Sequence, residues 1–185
     1  MPAVKSQKMT IDEFLVWCET QEERYELIDG VPRMMTGARK AHDRIMRRAL
    51  RRLEDQLEGG PCEPFSDDIA VEIGASSVLR PDVVVGCGDR DGSRLTADMP
   101  VLVIEVLSKS TRSIDLLRKS IEYKSVPTLR YLLFLEMELV TGAFYACGDD
   151  GHWSDMWLVG RDTVIEMPEI NVSLTLGDFY EADTP

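Results

Sequence analysis

Apolar residues recur along this chain at two different periods, and the switches between them predict most of its elements. Thr10-Ile11-Asp12-Glu13 has the form of a capping box, an acid three positions after a threonine, and predicts a short helix ending near Cys18. Tyr25 to Ile28 alternates apolar and polar side chains as a strand does. Asp29-Gly30 is a strong hairpin turn, and Val31 to Met35 then returns antiparallel. From Arg39 to Leu57 the period becomes helical. Ile45, Met46, Ala49, Leu50, Leu53 and Leu57 gather on one side, with Lys40, Arg44, Arg47, Arg48 and Arg51 on the other. Gly59-Gly60-Pro61 ends that helix.

Further on, Ile69 to Ile73, Val83 to Val85 and Val101 to Leu107 read as strands, the last as a buried apolar run. The polar, Gly- and Asp-rich segment from Cys87 to Pro100 reads as a surface loop. Ser110 to Lys124 predicts a helix with Ile114, Leu117 and Ile121 facing the core, followed by Pro127. Arg130 to Leu135 is the next buried strand. Shorter strands follow near Gly142 to Ala146, Trp153 to Val159, Val164 to Glu166 and Asn171 to Leu174, then a short helix from Leu176 to Glu181. Trp153 and Trp157 are expected in the core or an interface. The order predicts an α/β fold with a mixed central β-sheet flanked by helices. No repeat or linker interrupts it, so residues 1–185 read as one domain, with 1–9 as a flexible tail.

Composition narrows the function classes. At 185 residues, 44% of them apolar and 29% charged, the chain can bury a full core. No apolar run approaches the ~20 residues of a membrane-spanning helix. Met1 to Lys8 has no apolar centre, so no secretory signal is read, no membrane partner is expected and a cytoplasmic location is. The four cysteines, Cys18, Cys62, Cys87 and Cys147, form no CxxC, and the histidines are His42 and His152. A zinc site or disulfide framework is therefore not expected; the reading is four reduced, mostly buried thiols. The net charge of −12, from 33 acidic and 21 basic residues, argues against a nonspecific nucleic-acid binder. A chain of this charge that engaged nucleic acid would need a local basic patch. The Lys40 to Arg52 face is the candidate, with an ordinary solvated helix face as the alternative.

The chemistry centres on Arg80-Pro81-Asp82 and on Glu105, 23 positions later inside an apolar run. Ionised carboxylates in strands this apolar need compensation. A hard divalent cation with oxygen ligands supplies it, and the alternative is a pair of strand-end acids with local hydrogen bonds. Two such acids and one cationic side chain are the minimum set for phosphodiester hydrolysis. The metal polarises the phosphoryl oxygen and acidifies water, and the cation stabilises developing charge.

Several ordered blocks carry a family resemblance: Pro81-Asp82; Glu105-Val106-Leu107-Ser108; Ser110-Thr111-Arg112; then Asp115, Lys119 and Tyr123. Upstream, Tyr25-Glu26-Leu27-Ile28-Asp29-Gly30 and His42 belong to the same pattern, as does the tail through Leu174, Leu176 and Phe179-Tyr180. From about Met9 to Glu181 the chain resembles the Uma-type endonucleases of the PD-(D/E)XK nuclease superfamily. The resemblance implies a restriction-endonuclease-like core and DNA as substrate. It implies Mg2+, with Mn2+ as a substitute, bound by Asp82 and Glu105. The catalytic set it implies is Glu26, Asp82, Glu105 and Lys119. Lys119, on the following helix, replaces the lysine that often lies two residues after the glutamate, where this chain has Leu107.

Other positions carry weaker readings. Asp115 matches an orienting partner for Lys119, against a plain surface ion pair at i, i+4. His42 reads as a polar contact, and Ser108 and Thr111 as helix caps. A homodimer is expected on symmetry and family habit. Lys109 stands where proline is usual, and Arg130 to Leu135 lacks a typical Tyr-Trp-…-Asp pattern. The alternative to an enzyme is a catalytically silent binding or assembly module. DNA against RNA stays open.

Overall fold

The computed structural model describes residues 8–107 and 114–185, with no description of the Ile114 and Asp115 side chains. The expectations for Ser108, Lys109, Ser110, Thr111 and the Asp115 side chain therefore lie outside the described residues, as does the tail over residues 1–7. Helix α1 (Ile11–Cys18) opens on the expected capping box, with both reciprocal bonds made: Glu13 N to Thr10 Oγ1 at 3.2 Å and Thr10 N to Glu13 Oε2 at 2.9 Å. Strands β1 (Tyr25–Ile28) and β2 (Val31–Met34) form the hairpin. Its turn takes φ of 50° at Asp29 and 81° at Gly30, the left-handed pair that a two-residue hairpin requires. This hairpin joins β4 (Val71–Ile73) and β5 (Ser77–Leu79) in a four-stranded sheet of order β2-β1-β5-β4.

The central sheet has six strands in the order β10-β9-β8-β7-β6-β3. They are β3 (Glu63–Ser66), β6 (Val83–Gly86), β7 (Pro100–Leu107), β8 (Tyr131–Glu136), β9 (Thr141–Cys147) and β10 (Trp153–Val159). The β7–β8 pair is parallel and its neighbours are antiparallel, so the sheet is mixed as expected. A parallel pair needs a crossover, and α3 (Ile114–Lys124) lies in it. Helix α2 (Lys40–Leu57) and the β11 (Val164–Met167)–β12 (Val172–Thr175) ribbon cover the opposite face.

Because both faces are covered, alternate residues of one strand enter different cores, and the strand reads as an unbroken apolar run. Leu102, Ile104, Val106, Leu133 and Leu135 meet Ile45, Ala49, Leu53 and Leu57 of α2. Val84, Val103, Leu132 and Phe134 meet Tyr123, Val126 and Leu129 on the α3 side. The last expected helix is a 3-10 turn, Leu176–Phe179. Among the described residues no helix is long and apolar enough to cross a membrane.

Three expectations are corrected. Leu117 and Ile121 do not face the core; they are 65% and 64% exposed. Helix α3 instead turns Lys119 and Tyr123 inward, because the sheet surface beneath it carries a buried carboxylate. Leaving that acid unpartnered costs more than exposing two aliphatic side chains. Second, β3 and β5 are strands that the sequence pattern does not announce. β3 is an edge strand holding a proline, and β5 has only three residues, too few to display a period. Third, Cys62 and Cys87 are joined in a disulfide rather than held as thiols. The β3–β6 register pairs Glu63 with Gly86, which brings the flanking cysteines opposite one another. Cys18 and Cys147 are unpaired and only half-buried. Of the two tryptophans expected in the core or an interface, Trp153 is half-buried beneath the Lys124 ammonium and Trp157 is 71% exposed on the β10 edge strand, outside the core.

Candidate active site

The site follows from one register. Pairing of Val83 with Ile104 in the antiparallel β6–β7 ladder sets Asp82, just before β6, across from Glu105. Like charges directly opposite across a ladder repel, so this pair must be compensated. Asp82 Oδ2 accepts a 2.6 Å hydrogen bond from the Val106 backbone N–H, and its Oδ1 lies 3.1 Å from His42 Nε2. Glu105 is only 7% exposed. Its Oε1 accepts from Lys119 Nζ at 2.8 Å and from the Tyr123 hydroxyl at 2.7 Å.

The third acid arrives from the other sheet. Glu26, in β1, accepts from the Arg80 backbone N–H at 3.2 Å and lies 3.5 Å from Lys119 Nζ. Arg80 clamps the junction of the two sheets, donating to the carbonyls of Tyr25 at 3.1 Å and Asp68 at 2.5 Å. The Arg-Pro-Asp segment thus has a division of labour: its arginine fixes β1 against the central sheet while its aspartate enters the site.

Charges in this cluster are mutually dependent. Burial pushes the Glu105 carboxyl up to about 7; the Lys119 ammonium pulls it down, and Asp82 and Glu26 add to the rise. Burial works against the Lys119 charge, but Glu105, Glu26 and Asp82 more than offset it and hold the ammonium protonated. The Tyr123 hydroxyl is raised well above its ordinary value by burial and by Glu105, so it remains a donor. For His42, burial opposes protonation, yet the hydrogen bond to Asp82 and the charges of Asp82, Glu105 and Asp67 leave its affinity for a proton raised.

All four predicted site residues, Glu26, Asp82, Glu105 and Lys119, come together. Two further side chains join them. His42 is the first inward position of α2, on the same stripe as Ile45 and Ala49, and its Nδ1 is buried without a partner among the described residues. Tyr123 lies one turn after Lys119 on the same face of α3. Helical spacing held both signals: His42 falls in phase with the apolar stripe, and Tyr123 is i+4 from Lys119.

Asp82 and Glu105 offer oxygen donors of the kind a hard cation takes. Asp82 and Glu105 are set against each other, Glu26 shares Lys119 with Glu105, and Glu105 keeps a raised proton affinity even with Lys119 beside it. Its charge is therefore only partly compensated. Among the described residues no group of three acidic, histidine or cysteine side chains is placed to hold a metal ion. Mg2+ needs none: it commonly takes one or two carboxylates and completes its shell with water and phosphate oxygens.

A mixed sheet with opposed acids on adjacent strands, and a lysine delivered by the crossover helix, is a nuclease-like core of the restriction-endonuclease type. The chain belongs to the Uma2 family, described as "Putative restriction endonuclease", which it matches over residues 11–176. It is similar to the "Uncharacterized protein slr1290" of Synechocystis sp. (strain ATCC 27184 / PCC 6803 / Kazusa), with 32% identity over 181 residues, 97% of this chain and 95% of that protein. A second protein of the same organism, the "Uncharacterized protein sll1609", is 28% identical over 162 residues, 85% of this chain and 92% of its own length. The fold matches the crystal structure of "a putative nuclease belonging to DUF820" from Anabaena variabilis ATCC 29413. The TM-score is 0.72 at 18% identity, over 93% of this chain and 97% of that one.

Proposed function

We propose that this protein is a metal-dependent endonuclease that hydrolyses DNA phosphodiester bonds, with Asp82 and Glu105 as ligands for Mg2+ or, in its place, Mn2+. The observation that carries the reading is the meeting of Glu26, Asp82 and Glu105 around Lys119, whose Nζ lies 2.8 Å from Glu105 and 3.5 Å from Glu26. When bound, the ion would polarise a phosphoryl oxygen and lower the pKa of an attacking water.

The remaining roles belong to the chain itself. Lys119 has three donors and is held as an ammonium, so it can keep Glu105 and still orient a water or meet charge growing on the phosphate. Tyr123 anchors Glu105 Oε1 from the core side, and His42 anchors Asp82 Oδ1 from α2. Each carboxylate is thereby held to one orientation, the preorganisation that a metal site needs. Glu26 steadies the lysine and completes the acidic cluster. Cutting both strands of a duplex takes two such sites, which a two-fold homodimer would supply.

A catalytically silent binding or assembly module is the second reading. It is favoured by Leu107 at the usual lysine position, and by an ammonium that already faces Glu105. Calorimetric titration with Mn2+ separates the two. The nuclease reading expects binding by the wild-type protein and none by Asp82→Ala. It also expects wild-type protein to nick supercoiled plasmid and Lys119→Met to lose at least about a hundredfold of that rate while staying folded. Equal Mn2+ responses from wild type and Asp82→Ala would overturn it.

A further inference from the structure

The charges on α2 are sorted along its length. A helix is stabilised by acids in its first turn and bases in its last. Here seven basic residues lie between Arg39 and Arg52 against a single acid, Asp43, while Glu54, Asp55 and Glu58 occupy the far end and the last turn holds no base. Only the acids at the far end oppose the dipole; the mid-helix bases lie beyond its reach, so it does not account for their clustering. The burial pattern makes the bases a ridge: Ile45, Ala49, Leu53 and Leu57 are buried, while Lys40, Arg44, Arg47, Arg48, Arg51 and Arg52 are exposed.

Three of these side chains already have acidic partners: Arg47 with Asp43, Arg44 with Glu181 and Arg52 with Asp178. These pairs are solvent-facing and weak. Lys40, Arg48 and Arg51 make no ion pair among the described residues. The inner stripe of the same helix reaches the site, because His42 in its first turn touches Asp82. From His42 to Arg51 is about 14 Å along the axis, at ~1.5 Å per residue.

We infer that the outer face of α2, with Arg48 and Arg51 at its centre, is a track for the DNA backbone. This rests on the nuclease reading and names how a chain of net charge −12 grips a polyanion. The contact is to phosphates, so it is independent of base sequence.

The test is fluorescence anisotropy on a labelled DNA duplex as salt rises from about 50 to 200 mM, in buffer containing Ca2+, which takes oxygen ligands as Mg2+ does. Arg48→Ala/Arg51→Ala is compared with wild type and with Arg90→Ala/Arg94→Ala, an equal charge change in the loop between β6 and β7. All four side chains sit on the surface. Each phosphate contact contributes about 0.9 to the slope of log K against log salt. The α2 double should lower that slope by about 2 and bind more weakly, with the loop double unchanged. Wild-type binding with an unaltered slope in the α2 double overturns this inference and leaves the nuclease reading standing. Equal losses in both doubles also overturn it, since net charge rather than position would then govern. Wild-type protein that binds no duplex overturns the nuclease reading itself, and the track with it.

Discussion

The two faces of the central sheet bury different chemistry. Beneath α2 and the β11–β12 ribbon, the core is aliphatic and aromatic, with Leu102, Ile104, Leu133, Leu135 and Phe179 fully enclosed. Beneath α3, Val103, Leu132 and Phe134 share the face with Glu105, which is buried against Lys119 and Tyr123. One face is built for stability and the other carries a charged cluster whose parts must satisfy one another. The contrast explains why α3 exposes Leu117 and Ile121 while α2 buries Ile45, Ala49, Leu53 and Leu57. A helix over a purely apolar surface maximises buried area; a helix over an acid first answers the acid.

The largest effect should come from the apolar face. Leu102→Ala removes a fully buried side chain from β7 and should cost about 2–5 kcal/mol in urea unfolding, as cavities in packed cores do. Leu117→Ala deletes the same atoms from α3 and should cost less than about 0.5 kcal/mol, because the side chain already meets solvent. Comparable losses at the two positions would mean that α3 packs the way its periodicity suggested.

That periodicity marks the limit of what the sequence reveals. The Val101 to Leu107 run, the capping box and the Asp29-Gly30 turn are local signals, and local signals suffice to find β7, α1 and the hairpin. Asp82 and Glu105 stand out because acids next to β-branched runs are rare, so their importance is legible before their partners are. The orientation of α3 is not legible in this way. It depends on what lies beneath the helix, and Glu105 outweighs two aliphatic side chains. The Cys62–Cys87 bridge is hidden for a related reason. It depends on the register of β3, an edge strand with a proline and no visible alternation. Trp157 has a similar history, since its exposure follows from β10 being the outermost strand of the sheet.

A smaller effect should come from the charged face. Tyr123→Phe keeps the ring in the core and removes only the hydroxyl that donates to Glu105. Hydrogen bonds to charged groups contribute about 1.5–3 kcal/mol, and Lys119 remains on the same oxygen, so the expected loss is near the lower figure. The same variant should weaken Mn2+ binding, because Glu105 loses one of the two groups that fix its orientation. A variant that loses stability yet binds Mn2+ as wild type does would make Tyr123 a core residue and nothing more.

The smallest effect tests whether the α3 face tolerates a charge that has no partner. Glu122 sits beside the cluster, and its Oε2 is buried with no hydrogen bond among the described residues. Burial raises its pKa above the ordinary carboxylate value; Glu26 and Asp29 add to the rise, while Arg118 and Lys119 act against it. A folded-state pKa above the unfolded one favours the neutral acid. The stability it brings is full below the unfolded value and is lost as pH rises through the folded one. Glutamine resembles the protonated acid at every pH. Glu122→Gln should therefore melt with wild type at pH 4 and about one degree above it at pH 8, a modest shift because solvent reaches part of the side chain. Calorimetric scans at the two pH values decide it. A variant that melts below wild type at pH 8 would show that the Glu122 charge is favourable where it stands, held by Arg118 and Lys119 strongly enough to outweigh its burial.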